Sequence, residues 1–410
     1  MKTVAAVSVA ALVAVSFLAG CAGRELSGPD AAARATRPRE PAPAPAPADA
    51  MAGRVKKALE LAGENRIEIE KFLNGVPPER RKAAEFLVAY MPTAALASLS
   101  AEDIRSEFDL AYEAREKFPW ARSVPESFFL HYVLPNFVTQ EPFHRYRAYL
   151  MPLLEAALKD CKDARAAALE LNRWCGAHFR YVHTQARDQG VFENLKRGFG
   201  RCEEMAILYI AAARTVGIPA RVASTPLWST CDSNHAWVEV RVGDAWCYLG
   251  ACEPADVLNK AWFSNTSKRA PLVVAVAYGR LETDEEIYRA AEKYTIVNTT
   301  RWYSPTCRLD VLVESDDGRP LADKEVFLNV FNFGGLRPFA LLKTDEKGRA
   351  HITMGIGDFV ATCSDGGKFA VKKFTTTPGG RVSLTLTPGA DDLPDGKFWL
   401  RYPKKTWEGR

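Results

Sequence analysis

The chain has 410 residues, which is enough for two to three domains that each bury a core. Its composition is that of a globular protein, with 47% hydrophobic and 25% charged residues, and excludes a fibrous or wholly disordered chain. Basic and acidic residues nearly balance at a net charge of +4, so no nucleic-acid partner is expected.

The first twenty residues predict an export signal. Lys2 precedes an apolar run to Leu18 that is shorter than the ~20 residues of a membrane span. Leu18-Ala19-Gly20-Cys21 resembles the lipobox of bacterial lipoproteins, which implies cleavage before Cys21 and lipidation of that residue. A plain signal peptide with an incidental cysteine is the alternative. The predicted location is the bacterial cell envelope with a lipid anchor, and Ala22 after the cysteine favours the outer membrane or periplasmic face.

Residues 21–50 are predicted to be a tether and residues 51–162 a helical domain. Alternating Ala and Pro up to Pro47 favour extended polyproline II structure, which builds no core. Further on, apolar residues recur at helical spacing, and Ser100 with Asp103 has the pattern of a capping box. We expect an ordinary packed helical core that also has the position to form one wall of a cleft.

Residues 163–300 are predicted to form an α+β domain. A helix over Ala164–Cys175 is followed by a second that begins near Cys202 and ends at Gly217. Strands are predicted over His235–Val240, Ala245–Leu249 and Pro271–Tyr278. A helix followed by consecutive antiparallel strands is an α+β arrangement.

The region 305–388 has the pattern of a β-sandwich. Short alternating stretches such as Val326–Val330 and Val382–Leu386 are separated by glycine-containing turns. Some turns resemble those of carboxypeptidase-regulatory or prealbumin-like modules, so a prealbumin- or immunoglobulin-like β-sandwich is expected. Residues 389–410 form a polar tail of unclear structure. The predicted fold class is therefore multidomain α+β.

Nine cysteines are present. Beyond Cys21 and Cys202, seven are expected to be structural: Cys161, Cys175, Cys231, Cys247, Cys252, Cys307 and Cys363. Export permits disulfides, but spacing does not assign partners, and an odd number leaves at least one thiol unpaired. No cysteine has the spacing of a zinc site, so neither metal nor cofactor is expected.

One cysteine and one histidine have the arrangement of a nucleophile and its base. Cys202 stands at the start of a predicted helix, where the partial positive charge of the helix end favours the thiolate. His235 opens a downstream strand and shares a polar face with Trp237, Glu239 and Arg241. Cys202 would attack an amide carbonyl and His235 would relay the proton. A buried structural cysteine and an ordinary surface histidine are the alternatives.

Three sequence blocks together resemble the transglutaminase-like superfamily, a branch of papain-like folds that includes transglutaminases, microbial peptidases and peptide:N-glycanases. They are Gly200-Arg201-Cys202-Glu203-Glu204, Gly217-Ile218-Pro219-Ala220-Arg221 and His235-Ala236-Trp237-Val238-Glu239-Val240. They occur in the family's order and cover about residues 165–260. The resemblance implies a papain-like core with a Cys–His site, and it leaves the reaction open.

The third member of the site departs from the family pattern. Similar enzymes place an Asp four residues past the Trp that corresponds to Trp246, and Gly250 occupies that position. Glu253 is the candidate replacement, with Asp256 and Asp232 as weaker candidates. A Cys–His dyad and a site without activity are the other interpretations.

The expected function is hydrolysis of amide bonds in peptides or glycopeptides through a Cys202 thioester. The alternatives are a protein-crosslinking acyltransferase, or an inactive surface protein that binds glycan or peptide. Trp237, Gln185 and Trp228 are candidate substrate contacts, and Asn172, Trp174, Tyr181 and Trp262 are further aromatic or polar residues near the predicted cleft. The expected partners are a peptide, glycopeptide or protein substrate, and the membrane through the lipid.

Overall fold

The computed structural model describes residues 47–184 and 187–390. The predicted leader, the lipidation site Cys21, the tether up to residue 46 and nearly all of the predicted tail lie outside these residues. Among the described residues, no helix is both long enough and apolar enough to cross a membrane.

Helices dominate the first part of the chain, and strands dominate the rest. The helices are α1 Pro47–Ala62, α2 Arg66–Gly75, α3 Arg81–Tyr90, α4 Thr93–Leu96, α5 Ala101–Lys117, α6 Glu126–Tyr132, α7 Tyr146–Ala157, α8 Ala164–His178, α9 Val191–Arg197, α10 Cys202–Thr215 and α11 Ser264–Ser267. The strands are β1 Arg180–Tyr181, β2 Phe199–Gly200, β3 Ala220–Thr225, β4 His235–Val242, β5 Ala245–Leu249, β6 Val274–Tyr278, β7 Glu286–Ala290, β8 Tyr294–Asn298, β9 Thr306–Val313, β10 Glu325–Asn332, β11 Gly335–Lys343, β12 Arg349–Gly355, β13 Gly357–Asp365, β14 Lys368–Thr376 and β15 Arg381–Leu386.

The helical region follows the sequence pattern with one interruption. The predicted capping box is present, since the Asp103 amide donates to Ser100 Oγ at 3.1 Å and the Ser100 amide donates to Asp103 Oδ2 at 3.2 Å. The apolar residues between Val55 and Phe72 are divided between α1 and α2. A 3₁₀ turn at Gly63–Asn65 separates them, because Gly63 adopts a left-handed backbone with φ +57°.

A six-stranded sheet carries the central part of the molecule, in the order β5-β4-β3-β6-β8-β7, and all its pairs are antiparallel. Helix α10 packs on the face formed by Val238 and Val240 of β4 and Val222 of β3. The alternate residues of β4 face a separate aromatic cluster around Trp237 and Phe263. This two-sided burial follows from the period-2 alternation of strand side chains.

The C-terminal part is β-rich. Strands β11-β10-β13-β14 form one sheet and β12-β9-β15 another. One hydrophobic cluster contains residues from both sheets, including Val311 of β9, Leu328 of β10 and Phe359 of β13. The predicted strands Val326–Val330 and Val382–Leu386 are present within β10 and β15.

Candidate active site

The start of α10 is a tightly packed turn that fixes the position of Cys202. Glu204 is fully buried, accepts the Arg201 amide at 2.8 Å and pairs with Arg197 at 3.3 Å. A Cβ on Gly200 would lie 2.4 Å from Glu204 Oε2, so only glycine permits this approach. Arg201 is itself buried and donates to Asp188 at 2.7 Å. The charged residues around Cys202 therefore build the helix start rather than an open polar surface.

Chain topology brings the three predicted site residues to one end of the sheet. Helix α10 spans about 20 Å, and the short connection after it returns β3 alongside it toward Cys202. Strand β4 begins at His235, which pairs with Thr225 at the end of β3. Strand β5 is antiparallel to β4, with Leu249 opposite Val238, so the residues after Leu249 run toward the His235 end.

The Cys202 thiol lies beside an open cleft. Its Sγ donates to Glu203 Oε2 at 3.3 Å, and both Glu203 and His235 line this cleft, which has about 1180 Å³ of empty space, part of it open to solvent. The sequence block contains Glu203 without indicating a role for it. Its contact with the Cys202 thiol has no sequence signal, because adjacent helix residues do not ordinarily face each other.

His235 lies in an aromatic environment rather than on an exposed polar face. Its ring centroid is 4.8 Å from that of Trp262, 4.9 Å from that of Phe263 and 6.4 Å from that of Trp228. Burial lowers the pKa of His235 to about 3, so the imidazole is neutral across the ordinary pH range. Nε2 is buried without a hydrogen-bond partner among the described residues. A neutral imidazole with an unoccupied nitrogen has the protonation state that a general base requires.

The Glu253 carboxylate occupies the space into which a side chain at position 250 would extend. A Cβ built on Gly250 would lie 2.1 Å from Glu253 Oε2. Position 250 directly follows β5, and by the strand register it lies next to β4 on the face that carries His235 and Trp237. The Glu253 carboxylate thus lies where the side chain of an aspartate at position 250 would extend.

Trp262 connects this carboxylate to His235, and among the described residues no hydrogen bond joins the carboxylate to the imidazole directly. Trp262, whose ring contacts His235, donates its Nε1 to Glu253 Oε1 at 3.1 Å. Glu253 Oε2 is buried without a hydrogen-bond partner among the described residues. Because burial disfavours the charged form, the pKa of Glu253 is raised to about 7.

Asn172 has a structural role that the sequence did not predict. Its side-chain amide donates to the backbone oxygens of Gly250 and Glu253 at 2.9 and 2.8 Å, and this holds the turn against α8.

The two weaker candidates for the third site residue, Asp232 and Asp256, have other partners. Asp232 accepts the Phe333 amide at 2.7 Å, and Asp256 is fully exposed with Arg173 at 3.7 Å.

Burial corrects the predicted role of two of the three candidate substrate contacts. Trp237 is completely buried and donates to the Tyr303 hydroxyl at 2.9 Å, so it stabilises β4 from within the core. Trp228 is 2% exposed within the same cluster. Gln185 lies outside the described residues. Trp262, at 63% exposed, is instead the tryptophan that reaches both solvent and the site.

We expect Glu253 to make stability depend on pH. Its folded-state pKa of about 7 exceeds the ordinary value of 4.5, so the folded state binds the proton more tightly than the unfolded chain. The wild type and Glu253→Gln should be similarly stable at pH 4.5. As pH rises through 7, the wild type should lose ~2–3 kcal/mol relative to the variant. Urea unfolding of both proteins at pH 4.5 and 8 measures this difference, and a pH-independent difference would contradict the assignment.

A family model matches the central part of the chain. Residues 153–251 match the family model of the transglutaminase-like superfamily. Similar solved structures include a proposed cysteine protease from Cytophaga hutchinsonii, with 17% identity, 37% of this chain and 58% of that chain covered, and a TM-score of 0.25. Red sea bream transglutaminase shows 10% identity, 66% and 58% coverage, and a TM-score of 0.25.

A proposed protease from Parabacteroides distasonis shows 9% identity, 67% and 52% coverage, and a TM-score of 0.25. This chain thus spans little more than half the length of each of these structures. A comparison with curated proteins gives no match. Among the described residues, no group of three or more His, Cys, Asp or Glu side chains is arranged to hold a metal ion.

Proposed function

We propose that this protein, whose residues 153–251 form a transglutaminase-like domain, is a cysteine amidohydrolase that acts on peptides or glycopeptides. The support for the proposal is a large open cleft that is lined by His235 and by Glu203, whose carboxylate accepts from the Cys202 thiol. The strand register also directs the residues after β5, which lead to Glu253, toward the His235 end of the sheet. Cys202, His235 and Glu253 each have a chemical role that their surroundings support.

The proposed reaction proceeds through a thioester. His235 accepts the thiol proton, and Cys202 Sγ bonds to the amide carbon to give an oxyanion next to the start of α10, where the helix end favours negative charge. The oxyanion collapses, the C–N bond breaks, and the leaving amine takes the proton from His235. Water then attacks the thioester with His235 as base, which releases the acid and restores the thiol. Glu253 orients the imidazole and stabilises its charged form.

Thiol alkylation tests this proposal without a known substrate. We expect iodoacetamide at pH 7 to modify Cys202 at least ~10-fold faster than an ordinary thiol, and His235→Ala to slow that reaction by about 10-fold. Mass spectrometry identifies the modified residue. Cys161 is an internal control, because it is partly exposed and burial raises its pKa.

The rival function is a binding protein that retains the fold without catalysis. Two observations favour it: the thiol donates to the Glu203 carboxylate, and burial lowers the pKa of His235 to about 3, which makes the imidazole a weak base. Alkylation of Cys202 no faster than that of an ordinary thiol, or unaffected by His235→Ala, would decide for the binding protein.

The cellular location is proposed from the sequence alone. We propose that Cys21 is lipidated and anchors the protein in the bacterial cell envelope, because Leu18–Cys21 has the lipobox pattern. Incorporation of labelled palmitate into the wild type, and its loss in Cys21→Ser, is the expected result. Equal labelling of the two proteins would refute the anchor.

We further propose that the C-terminal part is a β-sandwich accessory module. Its support is the hydrophobic cluster shared by the two sheets. An experimental structure in which these sheets do not face each other would overturn this interpretation.

A further inference from the structure

The cleft beside Cys202 continues well beyond the site residues. From Glu203 and His235 it extends across Ser224 of β3 and Val276 of β6 to Lys293 and Tyr294 at β8. Its opposite wall comes from the helical region, through Tyr90 and Pro92, and from the loop 137–140. The helical region therefore forms part of this cleft.

The strand register gives the length of this cleft. His235 pairs with Thr225 on β3, while Ser224 pairs with Val274 on β6 and Tyr278 pairs with Tyr294 on β8. Tyr294 is thus three strands across and about five residues along from His235. With strands ~4.8 Å apart and ~3.3 Å per residue, the two ends are about 20 Å apart. An extended peptide of about six residues spans that distance.

Charge differs between the two ends. Glu203 lies at the Cys202 end with Asp188, and Asp188 is already paired with Arg201. At the far end Lys293 donates to the Ala89 carbonyl at 3.2 Å, and the charges that act on it are one carboxylate, Glu292, and two cations, Lys57 and Arg54. Glu292 is itself held by Lys57 at 2.6 Å. The far end therefore has an excess of positive charge.

A second cation lies in the wall of the cleft. Arg214 is buried, and its guanidinium donates to the carbonyls of Tyr132, Pro135 and Phe137 rather than to a carboxylate. Lys293 is half-buried, and a partly desolvated ammonium gains more from a carboxylate partner than a fully hydrated one. Apolar side chains between the ends, Val222, Val276 and Ile296, suit the body of a peptide.

We propose that this cleft binds an extended peptide of about six residues whose carboxylate, from an acidic side chain or a free C-terminus, pairs with Lys293. The peptide's reactive amide lies about 20 Å away at Cys202. That this peptide is the substrate rests on the proposed hydrolase function, whereas its binding does not. Lys293 is then the residue that selects among peptides.

Selection from a peptide library tests the proposal. Immobilised protein carrying Cys202→Ala, which cannot form a thioester, is incubated with randomised hexapeptides, either with a free C-terminus or amidated. Mass spectrometry gives the composition of the retained peptides. We expect one of two results. Enrichment of Asp and Glu toward one end of the retained peptides, by at least ~3-fold, would show that an acidic side chain supplies the carboxylate. Retention of the free library over the amidated library, by at least ~3-fold, would show that a C-terminus supplies it.

Variants of Lys293 connect the selection to that residue. Lys293→Gln in the Cys202→Ala protein should abolish the enrichment, and Lys293→Arg should retain most of it. Lys71→Gln, at a lysine 71% exposed on α2, should change nothing. Absence of carboxylate enrichment, or enrichment that survives Lys293→Gln, would overturn the proposal. If the peptides are enriched as expected but Cys202 of the wild type is alkylated no faster than an ordinary thiol, only the hydrolase function would be refuted.

Discussion

The double variant Gly250→Asp with Glu253→Ala is expected to keep the His235-dependent reactivity of Cys202 that Glu253→Ala alone loses. Gly250 does not have a left-handed backbone, so an aspartate fits its conformation. The main obstacle is Glu253 Oε2, 2.1 Å from the position of a Cβ; Glu253→Ala removes it and leaves the Cβ of residue 253 in close contact at 3.1 Å. An aspartate at position 250 would then direct its carboxylate into the vacated space.

The magnitude follows from the role of the carboxylate. Loss of the group that orients a catalytic imidazole costs roughly 10²–10⁴-fold in turnover in comparable sites. At pH 8 we expect the rate of Cys202 alkylation to fall about 10-fold in Glu253→Ala and to recover to within ~3-fold of the wild-type rate in the double variant. Alkylation kinetics with mass-spectrometric assignment measure all three proteins.

A matched control separates position from added charge. Ala245→Asp with Glu253→Ala adds the same carboxylate at the exposed opposite end of β5, and it should react as slowly as Glu253→Ala. If the Gly250→Asp double variant is equally slow, the carboxylate at this point has no orienting role. The site would then be a Cys–His dyad or inactive.

Replacing Arg221 with Met is expected to give the largest loss of stability, ~3–5 kcal/mol. Arg221 is completely buried and donates to Glu239 Oε2 at 2.6 Å and to both oxygens of Glu285 at 2.9 and 3.0 Å. Its guanidinium also lies 4.0 Å from the Trp246 ring centroid. Without the arginine, two carboxylates remain in the interior without their cation.

Urea unfolding at pH 7.5 measures this effect. The double variant Arg221→Met with Glu239→Leu should recover part of the loss, because it removes one unpaired carboxylate as well. Arg66→Met, which breaks an exposed pair with Glu70, should cost less than ~0.5 kcal/mol. A loss below 1 kcal/mol for Arg221→Met would show that the buried network is not required for the fold.

This network also explains why two of the sequence blocks occur together. Arg221 comes from the block that follows α10, and Glu239 comes from the block that begins with His235. Glu239 further accepts the Tyr303 hydroxyl at 2.6 Å, and Tyr303 accepts Trp237 Nε1. Each of the two blocks thus contributes a side chain that holds β3 against β4, Arg221 from one and Glu239 from the other.

The sequence by itself determined the local elements and the candidates for nucleophile and base. Helix caps, glycine turns and the alternation of apolar residues are local signals, so α5, α10, β4 and β5 follow from spacing alone. The transglutaminase-like resemblance in the Cys202 and His235 blocks is confirmed by the family model over residues 153–251. The prediction that His235 lies on an exposed polar face was wrong. The alternation of side chains along a strand separates its two faces, but it does not show which other segments pack on each face.

The contacts between these elements were decided only by the tertiary structure. Aromatic side chains from distant segments, Trp228 and Phe263, bury His235, and Asn172 on α8 holds the turn that carries Glu253. The position of the Glu253 carboxylate beside Gly250 depends on a side chain that folds back over three residues. The length of the cleft and the position of Lys293 depend on the pairing of four strands. Such contacts arise between residues far apart in the chain, where spacing carries no information about distance.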